Sequence, residues 1–170
     1  MRSLHFVPVL AALAALATAC GGAGAASSQA ASNGPVNTGK VDGVGTVLVD
    51  MSGKTLYFAE QETASKVSCT GSCTQFWHPL TTNRSTAPKA GDLQKSLKAV
   101  KRPDGKMQLA YAGHPLYTFS QDGGAGNAKG NGFKDSFGGT KFTWHAITPK
   151  GVAPSGGSSS GGGGGYGGGY

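Results

Sequence analysis

The feature that most constrains the fold of this chain is an internal repeat. Residues 113–122 repeat residues 53–62 in altered form, with glycine, leucine, tyrosine and glutamine in register and the two tyrosines 60 positions apart. A second matching block follows each copy, beginning with Trp-His at 77–81 and at 144–148. Two copies are too few for a solenoid. We therefore expect one domain whose halves pack on each other, because neither half buries its apolar face alone.

Within each copy the local patterns predict strands. Residues 46–50 and 55–58 flank a Ser-Gly turn, and residues 107–111 and 116–119 flank an Ala-Gly turn, so both pairs predict hairpins. Pro103-Asp104-Gly105 predicts a further turn into the strand at 107.

Two other segments complete the prediction of fold. Residues 97–101 predict a strand that the Pro-Asp-Gly turn joins to the strand at 107, although residues 92–97 also fit the start of a short helix, and both alternatives stay open. A glycine-rich loop over residues 123–139 precedes an alternating segment, residues 142–147, that predicts a closing strand. The predicted fold is all-β: a small single domain of two pseudo-repeated β-meanders, with little or no helix.

The start of the chain predicts export. Arg2 precedes an apolar run that ends in small residues before Cys20, as in a secretory signal peptide over residues 1–19. The Ala-Thr-Ala sequence before a cysteine suits signal peptidase of the lipoprotein type, which leaves Cys20 as the lipidated first residue. The alternative is an ordinary cleaved signal with Cys20 lost or left free. The apolar run is too short for a convincing transmembrane helix.

Composition sets the domain boundaries. Residues 20–40 hold the lipidated cysteine and a flexible tether of glycine, alanine, serine and asparagine, and residues 153–170 form a disordered tail rich in glycine and serine. Residues 41–152 remain for the β domain, with repeats at about 45–82 and 98–149, which is enough chain for one modest core.

The segment Tyr117-Thr118-Phe119-Ser120-Gln121-Asp122 resembles the Y-x-[FWY]-x-x-D signature of a bacterial secreted-repeat lipoprotein family. The resemblance extends over roughly residues 45 to 151. Its other segments are Cys69 to Cys73 followed by Trp77, Arg102 to Gly105 leading into Gln108 and Tyr111, and Trp144 running into residues 148–151. No reaction is established for this family, so the resemblance implies a class of protein and an exported location. The first copy departs from the pattern at Ala59, Glu62 and His78.

Cys69 and Cys73 are the first candidates for chemistry. They lie beyond a signal peptide and hence in an oxidising compartment, where exported cysteines ordinarily pair, so a disulfide is favoured. Such a small ring contributes only about 2 kcal/mol by chain entropy. The alternative is a thiolate pair that binds copper or exchanges electrons, since soft thiolates suit Cu(I). In that alternative the metal set is Cys69, Cys73, His78, His114 and His145.

The histidines and carboxylates give weaker signals. His78 and His145 follow the two tryptophans, and a pseudo-twofold axis would either bring them together or hold them apart. The spacing of Asp122, Asn127, Asn131 and Asp135 does not follow an EF-hand loop. Asp122 is better interpreted as a turn former whose carboxylate accepts backbone N–H groups. A pairing of Asp122 with Glu62 is permitted by the sequence and is not required by it.

The net charge of the chain indicates weak attraction to anionic molecules. Removal of the signal peptide leaves 14 basic and 8 acidic residues, a charge of +6. The local concentration of basic residues comprises Lys95, Lys98, Lys101, Arg102 and Lys106. Without a nucleic-acid motif, this charge indicates solubility and weak attraction to anionic envelope polymers or lipid headgroups, and no nucleic acid as partner.

These observations favour a non-catalytic function. No nucleophile elbow, zinc-protease motif or phosphate-binding loop is present in the sequence, and acidic residues are sparse. We expect an exported lipoprotein, anchored in the bilayer through Cys20 at the periplasmic or extracellular face, that acts as a structural or binding module without a cofactor. The alternative is a copper-binding or thiol redox lipoprotein, and a hydrolase ranks third. Tyr57, Trp77, Tyr117 and Trp144 are expected to fill the core.

Overall fold

The computed structural model describes residues 34–152. The predicted signal peptide, the predicted lipidation site Cys20, residues 20–33 of the predicted tether and the predicted tail lie outside these residues. Within the described chain the helical elements are α1 (Cys73–Phe76) and two short 3-10 turns, Gly91–Lys95 and Ser120–Asp122. The strands are β1 (Asn37–Val41), β2 (Gly45–Val49), β3 (Tyr57–Ala59), β4 (Trp77–Pro79), β5 (Thr81–Thr82), β6 (Leu97–Lys101), β7 (Met107–Tyr111), β8 (His114–Pro115), β9 (Tyr117–Phe119), β10 (Lys134–Phe137), β11 (Thr140–Thr148) and β12 (Gly151–Val152).

The strands form three antiparallel sheets. The central sheet has the order β10-β11-β3-β9-β4, with β12 also paired to β11. The hairpin β1-β2 and the sheet β5-β7-β6, which carries β8 on β7, complete the domain. The prediction of an all-β single domain is therefore confirmed.

The two repeats are interleaved in the central sheet. Its core order, β11-β3-β9-β4, alternates between second-repeat and first-repeat strands. Tyr57 pairs directly with Tyr117, Trp77 pairs with Phe119, and Trp144 pairs with Ala59. Exchange of each residue for its repeat partner reproduces this list, so a pseudo-twofold axis passes between the two tyrosines. Each repeat thus completes the sheet of the other, which is the physical reason why one copy would leave its apolar face uncovered.

The predicted hairpins form and then bend. After the turn at Gly53, whose φ is 79°, the chain bridges Val49 to Thr55 and passes into β3 of the central sheet. After the turn at Gly113, whose φ is 87°, β8 pairs with β7 before the chain passes into β9. Glycine suits both turns because a positive φ costs it little. The bend places β3 and β9, which contain Tyr57 and Tyr117, in the sheet that both repeats share.

Strand alternation divides the core between the two faces of the central sheet. Successive residues of β3 point to opposite faces, so Tyr57 and Phe58 belong to different clusters. One cluster comprises Val41, Val47, Val49, Tyr57, Ala59, Cys69, Cys73, Trp77, Tyr117, Phe119, Phe142, Trp144 and Ala146. The other comprises Val36, Leu48, Leu56, Phe58, Ala90, Leu93, Leu97, Leu109, Tyr111, Leu116 and Ile147.

Three sequence expectations need correction or completion. The ordered domain begins before residue 41, because β1 includes residues 37–40 of the segment predicted as tether and Val36 is fully buried. The loop predicted over residues 123–139 contains a strand, β10. The strand predicted over residues 97–101 forms as β6, and a 3-10 turn, Gly91–Lys95, precedes it. Across residues 34–152 the structure contains no helix with the length and apolar character needed to cross a membrane.

Candidate functional site

The centre of the domain is a stack of four aromatic rings. Trp77 and Trp144 stack with ring centroids 3.8 Å apart and an interplanar angle of 9°. Phe119 stacks on the outer side of Trp77 at 4.2 Å, and Phe142 stacks on Trp144 at 5.6 Å. All four side chains are buried. The repeat blocks that the sequence matched in pairs therefore meet in space as the middle of one core.

The two ends of the stack show how the repeats have diverged. Phe119 faces Trp77 from the neighbouring strand, whereas its repeat equivalent, Ala59, faces Trp144. The small side chain of Ala59 leaves the ring position beside Trp144 to Phe142, which comes from the same strand as Trp144. The difference between the repeats at Ala59 is thus compensated by a ring from elsewhere in the chain.

Asp135 joins the two tryptophans. Its Oδ2 accepts a hydrogen bond from Trp77 Nε1 at 2.7 Å, and its Oδ1 accepts one from Trp144 Nε1 at 3.0 Å. Buried indole N–H groups need an acceptor, and a single carboxylate satisfies both. Asp135 lies on β10, so the strand that the sequence presented as loop closes the aromatic core at the pseudo-twofold axis.

The motif carboxylate Asp122 is bound to the tyrosine of the other repeat. Tyr57 Oη donates to Asp122 Oδ2 at 2.8 Å, and the backbone N–H of Lys129 donates to Oδ1 at 2.9 Å. Burial raises the pKa of Asp122, and the hydrogen bond from Tyr57 opposes that rise. Burial, followed by the nearby Asp122 charge, raises the pKa of Tyr57. The predicted acceptance of backbone N–H groups by Asp122 is present, and the tyrosine contact is an addition that the sequence did not indicate.

Glu62 plays the equivalent part for Tyr117. Its Oε1 accepts hydrogen bonds from the backbone N–H groups of Ser68 and Cys69, both at 2.6 Å. Burial, followed by the charge of Glu62, raises the pKa of Tyr117. Each acidic residue at the end of a repeat motif therefore serves the tyrosine of the opposite repeat. Asp122 and Glu62 have separate partners and do not act as a carboxylate pair.

Arg102 is the interior cation of the domain. It is 2% exposed, and its Nη2 donates to Cys69 O at 2.7 Å while its Nη1 donates to Gln108 Oε1 at 2.5 Å. Gln108 Nε2 in turn donates to Leu116 O at 2.7 Å. In the sequence Arg102 was grouped with the basic residues that attract anionic partners, and this is wrong, because Arg102 is buried. Its two Nη atoms donate inside the domain, and its Nε pairs with the exposed Asp104 at 3.3 Å.

The cysteines form the predicted disulfide. Cys69 and Cys73 are bonded, with Cα atoms 5.3 Å apart, and both are buried beside the tryptophan cluster. Cys73 begins α1, which ends one residue before Trp77. The bond therefore fixes the loop from which Trp77 enters the core.

The three histidines of the domain are not gathered into one site. His78 is exposed, with Nδ1 3.1 Å from Thr74 O. His145 lies on the other outer strand of the four-strand core, with Nε2 2.6 Å from Glu60 Oε1. His114 and His145 both pack on Phe58, with ring centroids 4.4 Å and 5.7 Å away.

The predicted metal sets do not assemble. Among residues 34–152, no three His, Cys, Asp or Glu side chains come close enough together to hold a metal ion. The oxygen ligands considered for Ca²⁺ have other partners, since Asn131 Oδ1 accepts from Ala146 N and Asp135 accepts from both indoles.

Sequence reasoning missed four of the residues that shape this core. Asp135 and Arg102 were noted only as a weak calcium candidate and a surface cation, and Phe142 only as part of a strand. Gly130 was missed as well: a Cβ there would lie 2.8 Å from the indole of Trp77 and 3.0 Å from the ring of Tyr57. The available signal was the resemblance of the segment that contains Arg102 and Gln108 to the secreted-repeat pattern.

Comparison with known proteins agrees with the repeat. Residues 98–148 match a family model described as a secreted repeat of unknown function. The matched segment is the second repeat, from β6 to the end of β11. No curated protein and no solved structure matches the chain. The comparison suggests an exported protein, and the family description assigns no reaction.

Proposed function

We propose that this protein is an exported lipoprotein, anchored in the membrane through Cys20, whose β domain is a non-catalytic structural or binding module of the cell envelope. Support for export comes from the predicted signal peptide and from the match of residues 98–148 to a secreted repeat. Support for the anchor comes from the small residues that precede Cys20 and the polar segment that follows it.

The proposal of a non-catalytic role rests on one observation: the charged side chains in the interior of the domain form hydrogen bonds to other groups of the core. Asp122, Asp135, Glu62 and Arg102 each bind tyrosine, indole, glutamine or backbone groups of the core. Catalytic groups need a reactive atom that faces a substrate. Here the partners of these side chains belong to the core itself, which supports a structural role for them.

The same reasoning disfavours the copper or thiol redox alternative. Cys69 and Cys73 are bonded to each other and buried, so neither sulfur is a thiolate that offers a soft ligand. His145 has Glu60 as its partner, and His78 lies on the far strand of the sheet. In a non-catalytic β module these cysteines and histidines have structural roles and need no cofactor.

The anchor is tested by replacement of Cys20. Cells that express wild type, Cys20→Ser or the tether control Ser27→Ala are fractionated, and the membrane and soluble fractions are compared by immunoblot. Lipidation predicts that wild type and Ser27→Ala leave the membrane only with detergent, whereas Cys20→Ser is soluble. Unchanged membrane association of Cys20→Ser would overturn the anchor.

The binding role is the remaining part of the proposal. A mature charge of +6 favours weak, salt-sensitive contact with anionic envelope polymers or lipids. Binding of the purified chain to such polymers should weaken as salt increases. Binding that is unchanged by salt would contradict an electrostatic contact.

A further inference from the structure

One exposed loop joins the two repeats. Residues 83–86 are all exposed, and no strand or helix forms between Thr82, the last residue of β5, and Gly91, the first residue of a 3-10 turn. The one hydrogen bond that the structure shows within residues 83–86 is donated by the Arg84 N–H to Thr82 Oγ1, at 3.3 Å. These residues therefore lie at the surface without the hydrogen bonds that hold the neighbouring strands.

The backbone through this loop is the covalent link between the repeats. In the described part of the chain the one disulfide joins Cys69 to Cys73, and both cysteines belong to the first repeat. A break within residues 83–86 would therefore divide the β domain into two separate chains, one for each repeat.

The apolar core is shared between the repeats. In the central sheet, β3 and β4 of the first repeat alternate with β11 and β9 of the second. On one face Trp77 stacks on Trp144 of the other repeat at 3.8 Å, and on the opposite face Leu56 and Leu116 belong to the same cluster. Each repeat therefore covers apolar surface of the other on both faces of the sheet.

Buried polar groups also have their partners in the opposite repeat. Tyr57 Oη donates to Asp122 Oδ2 at 2.8 Å, and Arg102 Nη2 donates to Cys69 O at 2.7 Å. A buried polar group that loses its partner destabilises a protein. These bonds therefore oppose separation of the repeats, as the apolar contacts do.

We propose that residues 83–86 are a cleavage site for proteases that cut after arginine, and that the cut domain persists as a two-chain complex in which each repeat is the binding partner of the other. Exposed loops of small and polar residues are preferred sites of proteolysis. Beyond the predicted signal peptide the sequence contains two arginines, Arg84 in this loop and Arg102, which is 2% exposed and precedes proline. Arg84 is therefore the arginine that a protease can reach. Neither the cut nor the complex depends on the anchor at Cys20.

The covalent link sets the concentration at which the repeats meet. A short connecting segment holds two binding partners at an effective concentration on the order of millimolar. In the intact chain this value is independent of the protein concentration, whereas in the cut protein the repeats meet at the concentration of the solution. Unfolding of the cut protein should therefore depend on protein concentration, and unfolding of the intact chain should not.

The test uses the chain from residue 20 onward with Cys20→Ser, which carries no acyl group. The folded chain is treated with an arginine-specific protease, which is then inhibited. We expect fragments 20–84 and 85–170 on a reducing denaturing gel, one species at the elution volume of the uncut chain in size-exclusion chromatography, and an unchanged near-ultraviolet circular dichroism spectrum. In equilibrium unfolding by guanidinium chloride, dilution by roughly 100-fold should lower the midpoint of the cut protein and leave that of the uncut chain unchanged.

Two variants of the same connection serve as controls. Arg84→Ala removes the cleavage site, so the protease should leave this chain whole and its midpoint should not depend on concentration. Lys89→Ala removes the other exposed cation of the connection and keeps Arg84, so this variant should be cut and should then behave as the cut parent does.

Three results would overturn the proposal. The folded chain could resist cleavage after Arg84, which would contradict the accessibility of the loop. The two fragments could elute separately, or the midpoint of the cut protein could be the same at every concentration. Either of these would contradict the mutual dependence of the repeats.

Discussion

Asp135 is the residue whose replacement most directly tests how this core is built. Its two carboxylate oxygens accept hydrogen bonds from Trp77 Nε1 and Trp144 Nε1 at 2.7 Å and 3.0 Å, and both tryptophans are fully buried. A hydrogen bond to a charged acceptor contributes about 1.5–3 kcal/mol, and loss of the acceptor leaves the buried donor unsatisfied. Asp135→Asn keeps the shape and offers one acceptor oxygen in place of two.

We therefore expect Asp135→Asn to lower the free energy of unfolding by about 1.5–3 kcal/mol, the value of one such bond. Asp135→Ala removes both acceptors and should cost about 3–5 kcal/mol, somewhat less than two bonds because Asp135 is half-buried and water can take its place. The matched control is Asp92→Asn, an exposed carboxylate in the 3-10 turn Gly91–Lys95 that should change stability by less than about 0.5 kcal/mol.

The assay is equilibrium unfolding in guanidinium chloride, followed by tryptophan fluorescence, together with near-ultraviolet circular dichroism of the stacked indoles. The reasoning predicts an order, with alanine more destabilising than asparagine and the control close to wild type. Its refutation is simple: if Asp135→Ala unfolds at the wild-type midpoint with an unchanged near-ultraviolet spectrum, the carboxylate does not hold the tryptophan pair.

Two further predictions concern the same core. Gly130→Ala should cost about 1–3 kcal/mol, because the added Cβ would lie 2.8 Å from Trp77, which the stack prevents from moving, and an unchanged denaturant midpoint would contradict that packing. The second concerns pH: since burial raises the pKa of Tyr57 and Tyr117 above the unfolded value of 10.0, their contribution is fully present below about pH 10 and is lost as the pH rises past it. The free energy of unfolding should fall above that pH by about 1.4 kcal/mol per pH unit for each tyrosine. Tyr57→Phe and Tyr117→Phe should each remove one tyrosine's contribution to this pH dependence. If neither variant changes the dependence of the free energy of unfolding on pH, ionisation of the buried tyrosines is not its cause.

The sequence alone determined the class of this fold, because its evidence is local. The turn glycines and alternating segments predicted the two hairpins, and the repeated tyrosine and tryptophan blocks predicted that the two halves pack on each other. The pairing of Cys69 with Cys73 was also favoured, since residues four apart in an exported loop need no long-range information.

Only the tertiary structure showed which residues of one repeat bind the tyrosine and tryptophan side chains of the other. Tyr57 is bound by Asp122, 65 residues away, and Trp77 is bound by Asp135, 58 residues away. Local pattern carries no information on such distances, because strand order depends on the burial of both faces at once. The same physics explains the interior position of Arg102. Beyond its local partner Asp104, its guanidinium donates to Cys69 O and to Gln108, which come from other elements.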